Sequence, residues 1–192
     1  FYDASAGEVL IGGRDVKSFE IPELRERIGI VPQKAVLFKG SIRDNMRWGK
    51  DDATDDEILA AAKTAQAADV IESKGGLDFE IEQGGKNLSG GQRQRFTIAR
   101  ALVRKPEILI LDDSASALDF ATDAALRKSI REMDTNPTVF IVSQRTSSIQ
   151  HADKIIVLDD GKIAGIGKHD ELLNSCPVYS EIYNSQFKKE AV

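Results

Sequence analysis

LSGGQRQRFTIARALVRKPEILILDD, residues 88–113, sets a glycine-opened helix against a short apolar strand that ends in two acids. The helix is predicted over 89–104. The first N–H groups of any helix lack an internal partner, and the helix dipole favours an anion beside them. Gly90 and Gly91 let a phosphate come close to the backbone, and Ser89 adds a donor. In isolation, Ser-Gly-Gly reads equally as the cap of a structural helix. Followed by Gln92-Arg93-Gln94-Arg95 and then by a strand ending in Asp, it favours the anion. Glu107–Leu111 reads as a fully apolar, buried strand, and ligands in open parallel sheets sit at the carboxyl ends of strands. There Asp112 is placed to hold Mg2+, directly or through water. Asp113 is placed to orient or deprotonate an attacking water. An acidic turn after a strand is common by itself; the helix upstream gives this one its chemical reading.

Outward from this stretch, short apolar runs alternate with helical patterns. Glu8–Gly12, Ile28–Val31, Thr138–Val142 and Lys154–Leu158 read as strands, the last three buried. Pro22–Arg27 and Ser41–Met46 read as brief helices. Thr54 and Glu57 form a capping box ahead of Ile58, Leu59, Ala62 and Ala65 on one helical face. Residues 75–87 read as a loop, and Phe120–Met133 as a helix. Asp159-Asp160-Gly161 signals a hairpin leading into Lys162–Ile166. Asp170 to about Lys189 reads as one or two amphipathic helices. The expectation is an α/β fold with a mainly parallel sheet, a single domain over 1–192, and a helical subdomain over about 40–100.

Composition narrows the classes. The chain has 192 residues, 41% hydrophobic and 30% charged, which is ordinary for a globular protein. Its 26 Lys+Arg against 31 Asp+Glu give a formal charge of −5, which argues against a nucleic-acid binder working by bulk charge. The single cysteine, Cys176, excludes an internal disulfide and a cysteine-rich zinc site. No apolar run approaches the roughly 18 residues of a membrane span. The opening Phe1-Tyr2-Asp3 has neither an initiator Met nor a signal-peptide pattern, and reads as the start of a piece cut from a longer chain.

With these motifs in place, the chain resembles the nucleotide-binding domain of an ATP-binding cassette (ABC) transporter of the exporter type, an ATPase fold of the P-loop class. Leu88–Gln92 is similar to the family's signature motif and Ile108–Asp112 to its Walker B strand. Gln33, after Ile30-Val31-Pro32, matches the Q-loop glutamine, and Ser114–Asp119 the D-loop. Ile81–Gly85, with Glu82, sits where exporters carry the loop that faces the membrane domain, and Lys154–Gly167 matches the closing hairpin. The resemblance implies ATP and Mg2+ as cofactors. It implies nucleotide contacts from Gln33, Ser89, Gly90, Gly91, Gln92 and Asp119, metal contacts from Asp112 and Gln33, and catalytic positions at Asp113 and Gln144. It implies as partners a second nucleotide-binding domain and the exporter's transmembrane domains, with indirect membrane association at the cytoplasmic face of a bacterial plasma membrane and no nucleic acid.

Three departures from the family pattern bear on mechanism. The phosphate loop, G-x-x-x-x-G-K-[ST], is absent. The Gly-Lys pairs at Gly49, Gly85, Gly161 and Gly167 are followed by Asp51, Asn87, Ile163 and His169. In the family this loop lies just before the segment that begins at Phe1, so truncation is the expectation, and the 192 residues alone are expected to be inactive. The family's catalytic glutamate is Asp113 here, shorter by one methylene, or roughly 1.5 Å. The switch histidine is Gln144, which donates hydrogen bonds but relays no proton. Both changes fall in one site. This resembles the degenerate half of heterodimeric bacterial exporters of multidrug or lipid type, with the intact Leu88–Gln92 serving the partner's site.

Other residues have plainer readings. His151 and His169 read as surface residues, Cys176 as a semi-buried spacer, and Arg93, Arg95, Arg100, Arg104 and Lys105 as a solvated charged face. Trp48 packs either near the Gln33 loop or in the core. The alternatives are a soluble ABC ATPase of translation or DNA maintenance, and an inactive fragment. The 54 residues between Gln33 and Leu88 carry no sustained heptads, which weakens the DNA-maintenance reading.

Overall fold

The computed structural model describes residues 3–187. Phe1-Tyr2 of the opening and residues 188–192, which include the end of the helical stretch expected up to about Lys189, lie outside the described residues. The chain forms two compact units, residues 1–140 and 141–192.

The first unit begins with an antiparallel pair, β1 (Leu10–Ile11) and β2 (Arg14–Asp15), shorter than the strand expected over Glu8–Gly12. It continues through α1 (Ile21–Arg27), β3 (Ile28–Val31), β4 (Gly40–Ser41) and α2 (Ile42–Arg47). Next come α3 (Asp55–Thr64), α4 (Ala68–Ser73), β5 (Glu80–Ile81) and α5 (Gly90–Leu102). Then follow β6 (Ile108–Asp112), α6 (Phe120–Arg131) and β7 (Thr138–Val142), within which the unit boundary falls.

Three of these helices start in the same way. Ser41, Thr54 and Ser89 each accept a hydrogen bond from the backbone N–H three residues on. Asp44, Glu57 and Gln92 reach back to the cap N–H at 3.0 Å. Each box satisfies two otherwise orphaned donors. The pattern fixes where α5 begins, and so where its glycine tip points.

The central sheet runs β3-β6-β7. β3 and β6 are parallel and in register from Ile28 opposite Ile108 to Val31 opposite Leu111. Gly29, Val31, Leu109 and Leu111 are buried, while Ile30 is exposed and Ile110 half-buried. α5 packs on β3, α2 and α3, and buries Phe96, Ile98, Ala99 and Leu102. With Leu37, Ile42, Met46 and Ile58 these side chains make the core of the unit. The prediction of a buried strand at 138–142 is corrected: Thr138 and Phe140 are exposed and Val139 only half-buried.

In the second unit α7 (Thr146–Ile149) precedes the antiparallel hairpin of β8 (Ile155–Asp159) and β9 (Lys162–Gly167). Asp160 (φ 46°) and Gly161 (φ 73°) take the left-handed conformations that a tight hairpin turn needs. α8 (His169–Ser175) and α9 (Pro177–Phe187) close on it. Ile155, Val157, Leu172, Cys176 and Tyr179 form the core. The reading of 154–158 as a buried strand is also corrected, because Ile156 and Leu158 face outward and β8 belongs to a hairpin rather than to the parallel sheet. Cys176 is buried rather than semi-buried. His169 is half-buried, with Nδ1 2.8 Å from the Tyr179 hydroxyl, whereas His151 is exposed as expected.

Candidate functional site

The register of β3 and β6 builds the site. Val31 lies opposite Leu111, so the chain leaves both strands at the same edge. Gln33 follows β3 by two residues and Asp113 ends two residues beyond Leu111. They meet there, with Gln33 Nε2 donating to Asp113 Oδ2 at 3.3 Å. Asp112, the last residue of β6, is exposed beside them in sequence. Asp113 has φ 44°, a left-handed conformation that a short polar side chain tolerates better than most. Its carbonyl accepts from the Ser116 N–H (3.2 Å) and hydroxyl (2.8 Å), which tightens the turn into residues 114–119.

That turn approaches the tip of α5. A Cβ on Gly91 would lie 3.2 Å from the Ala117 carbonyl oxygen, so the glycine permits the close approach. Gly90 is exposed, and a Cβ there would meet only Arg93 Nη2, at 4.0 Å. Ser89 Oγ accepts from the Gln92 N–H at 3.2 Å and keeps its own O–H as a donor. Gln92 Oε1 is occupied by the Ser89 N–H, so this side chain acts on the helix start. Asp119 caps α6: its carboxylate accepts from the Thr122 N–H (2.9 Å) and hydroxyl (2.8 Å), which hold its pKa below the ordinary value.

The structure therefore brings together Gln33, Asp113, Gly90 and Ala117, of which Gln33, Gly90 and Ala117 line one cavity. Gln144 belongs to the second unit. It is exposed, and its carbonyl accepts from Gln186 Nε2 at 2.6 Å. Glu82 is exposed, and its N–H is taken by Asn87 Oδ1 (3.0 Å).

Several smaller readings change. Trp48 is 65% exposed, so a core role is excluded; its ring lies 4.8 Å from that of Phe38, itself exposed next to Val36. The arginines of α5 and of the turn after it are not a solvated face. Arg93, Arg95, Arg100 and Arg104 are half-buried and donate to the carbonyls of Leu88, Gln66, Val36 and Gly49 respectively. One residue was missed. Gln94 is only 3% exposed, and its Nε2 has no hydrogen-bond partner among the described residues. A polar residue on the stripe of Gly91 and Ile98 was the available signal.

The arrangement fits a nucleotide-bound Mg2+ better than a free-standing metal. Among the described residues no three His, Cys, Asp or Glu side chains converge on one ion site. Mg2+ typically takes one or two carboxylates and completes its shell with water and substrate phosphates. Asp112 is an exposed carboxylate of that kind at the end of β6, and Gln33 adds an amide at the same edge.

A sequence profile described as ABC transporter matches residues 1–116. An uncharacterized ABC transporter ATP-binding protein of Mycobacterium tuberculosis is 44% identical over 187 residues, 96% of this chain and 32% of that protein. Another from Bacillus subtilis is 44% identical over 190 residues, 98% of this chain and 33% of that protein. A Staphylococcus aureus relative, provisionally named a multidrug export ATP-binding/permease protein, is 40% identical across 97% of this chain and 32% of its own length. The solved structure of a bacterial Atm1-family ABC exporter with ATP bound superposes with a TM-score of 0.90 at 40% identity, over 96% of this chain and 33% of that one. The chain spans about a third of the length of these relatives.

Proposed function

The chain belongs to the ABC transporter family, whose ATP-binding domains are ATPases, and we propose that it is the nucleotide-binding domain of a bacterial membrane exporter with a weakened site of its own. The observation that carries this reading is the in-register exit of β3 and β6, which sets Gln33 against Asp113 beside the exposed tip of α5. ATP and Mg2+ are the cofactors. Asp112 and Gln33 would hold the metal, which would supply positive charge to offset that developing in the transition state.

Within this chain's site, Asp113 holds the attacking water and accepts its proton. Its carboxylate stands roughly 1.5 Å short of where glutamate would reach. Misplacement on the order of 1 Å can cost about a hundredfold in rate. Gln144 stands, by the family resemblance, at the switch position, where its amide offers a hydrogen bond but moves no proton. Ser89, Gly90 and Gly91 act elsewhere: they donate their hydroxyl and N–H groups to nucleotide held by a second, facing nucleotide-binding domain, while Asp119 fixes the turn between the two sites. The exposed patch of Val36, Phe38 and Trp48, close in sequence to Gln33, receives the transmembrane domain at the cytoplasmic face of the plasma membrane. Export of drugs or lipids is supported by the name of the Staphylococcus relative and the exporter title of the superposed structure.

The test is the double variant Asp113→Glu with Gln144→His in the intact transporter, assayed by single-turnover hydrolysis of radiolabelled ATP. This site should gain roughly tenfold to a hundredfold in rate. A double variant no faster than the parent ends the weakened-site reading.

A further inference from the structure

Helix α5 and the turn that leads into α6 meet at the front of the first unit. A Cβ on Gly91 would lie 3.2 Å from the Ala117 carbonyl oxygen and 3.9 Å from Leu118 Cδ2, and Asp119 then caps α6. One close approach of this kind fixes a distance but leaves the angle between two helices free. A second attachment further back sets the angle, and Gln66 supplies one. It follows the end of α3, which packs on both α5 and α6.

The backbone at Gln66 is unusual for its residue type. Its φ is 57°, in the left-handed region. The Ala67 N–H donates to the Ala62 carbonyl at 2.7 Å, and the Gln66 N–H to the Lys63 carbonyl at 3.1 Å. In this helix ending the left-handed residue is usually glycine, which takes the conformation without strain. A glutamine held there carries a cost that points to a role for its side chain. Gln66 Nε2 donates to Ser129 Oγ on α6 at 2.9 Å and lies 3.4 Å from the Lys63 and Thr64 carbonyls. The Gln66 carbonyl accepts from Arg95 Nη1 on α5 at 2.6 Å. The same Nη1 reaches the Asp69 carboxylate at 3.0 and 3.2 Å, which steadies the arginine. One half-buried residue thus bonds α5 through its backbone and α6 through its side chain.

We propose that Gln66 is a positioning residue for ATP hydrolysis. It holds α6 at a set angle to α5, and so keeps the turn 114–119 in register with the Ser89–Gly91 tip. Without the bond to Ser129, α6 can swing about the approach of Gly91 to Ala117, and the tip and the turn lose their common alignment. The inference rests on the reading that the tip serves nucleotide held by a facing domain.

The experiment is steady-state ATP turnover by the intact transporter carrying Gln66→Gly, Ser129→Ala or both. Glycine suits φ 57°, so Gln66→Gly should keep the parent's melting temperature while kcat falls about tenfold, short of the roughly hundredfold that a 1 Å misplacement can cost. KM for ATP should hold, because the residue acts through α5 and α6 rather than on nucleotide. Ser129→Ala should lower kcat to the same extent and the double variant no further, since all three remove one bond. A contact that serves folding alone would lower the melting temperature and leave kcat per folded molecule unchanged. Ser89→Ala separates the two readings. Turnover intact in Ser89→Ala removes the facing-domain reading and this inference with it. Turnover lost in Ser89→Ala but kept in Gln66→Gly or Ser129→Ala overturns the inference alone, as do losses that add in the double variant.

Discussion

Gly49 shows how much a single residue can carry. A Cβ at this position would overlap the Arg100 carbonyl oxygen and stand 2.9 Å from Val103 Cγ1, so the loop after α2 lies directly on the last turn of α5. Arg104 Nε donates to the Gly49 carbonyl at 2.8 Å and fixes the crossing from the other side. The obstacle is mostly backbone, which cannot rotate away as a side-chain end can. Gly49→Ala should therefore cost about 2 kcal/mol or more, in the range of overpacked interiors, read as a lowered urea midpoint with an unchanged slope. An unchanged midpoint would mean that the loop shifts freely. Asp113 is the opposite case. Its φ of 44° needs a residue that tolerates the left-handed region, and aspartate meets that need as well as supplying the carboxylate.

At the scale of elements, the start of α3 sets an acid limit on stability. Glu57 closes the Thr54 box and pairs with Lys50 Nζ at 2.6 Å. The lysine first, and the Thr54 N–H second, pull its carboxyl from the ordinary 4.5 down to about 2. A carboxyl depressed on folding stabilises fully above its unfolded value, and that contribution is lost as pH falls through the folded one. The gap in melting temperature between the parent and Glu57→Gln should thus hold steady above pH 5 and close towards pH 2. A gap that persists at pH 2 rejects the assignment.

Such caps were legible because they are local: Thr54 and Glu57 stand three residues apart. Helix α4 was not, since Ala67 offers no capping side chain and the helix has six residues. The hydrogen bond between Gln33 and Asp113 depends on the register of two strands far apart in sequence; the family resemblance gave each residue a role at a nucleotide site but not this bond. The cavity that Gln94 lines was hidden for the same reason, because its walls come from four separate segments. Runs such as Thr138–Val142 told that the strand is apolar, not what covers it.

That last gap matters for the whole molecule. Parallel sheets are ordinarily covered on both faces. In the first unit α5 lies against β3, while Ile30 (42% exposed) and Phe140 (56%) remain open among the described residues. In the second unit Ile156, Leu158, Ile163 and Ile166 do the same on the β8–β9 hairpin. Exposed apolar side chains gathered on strands in this way favour association. The 192-residue chain by itself should bind the dye ANS and scatter light increasingly at micromolar concentrations. Lysine placed at two open positions, Ile30→Lys with Phe140→Lys, meets solvent rather than core, so it should preserve the far-UV circular dichroism while lowering dye fluorescence, with the share from the β8–β9 hairpin remaining. Equal fluorescence from parent and variant would show that these strands are already covered in solution and that the apolar faces lie elsewhere.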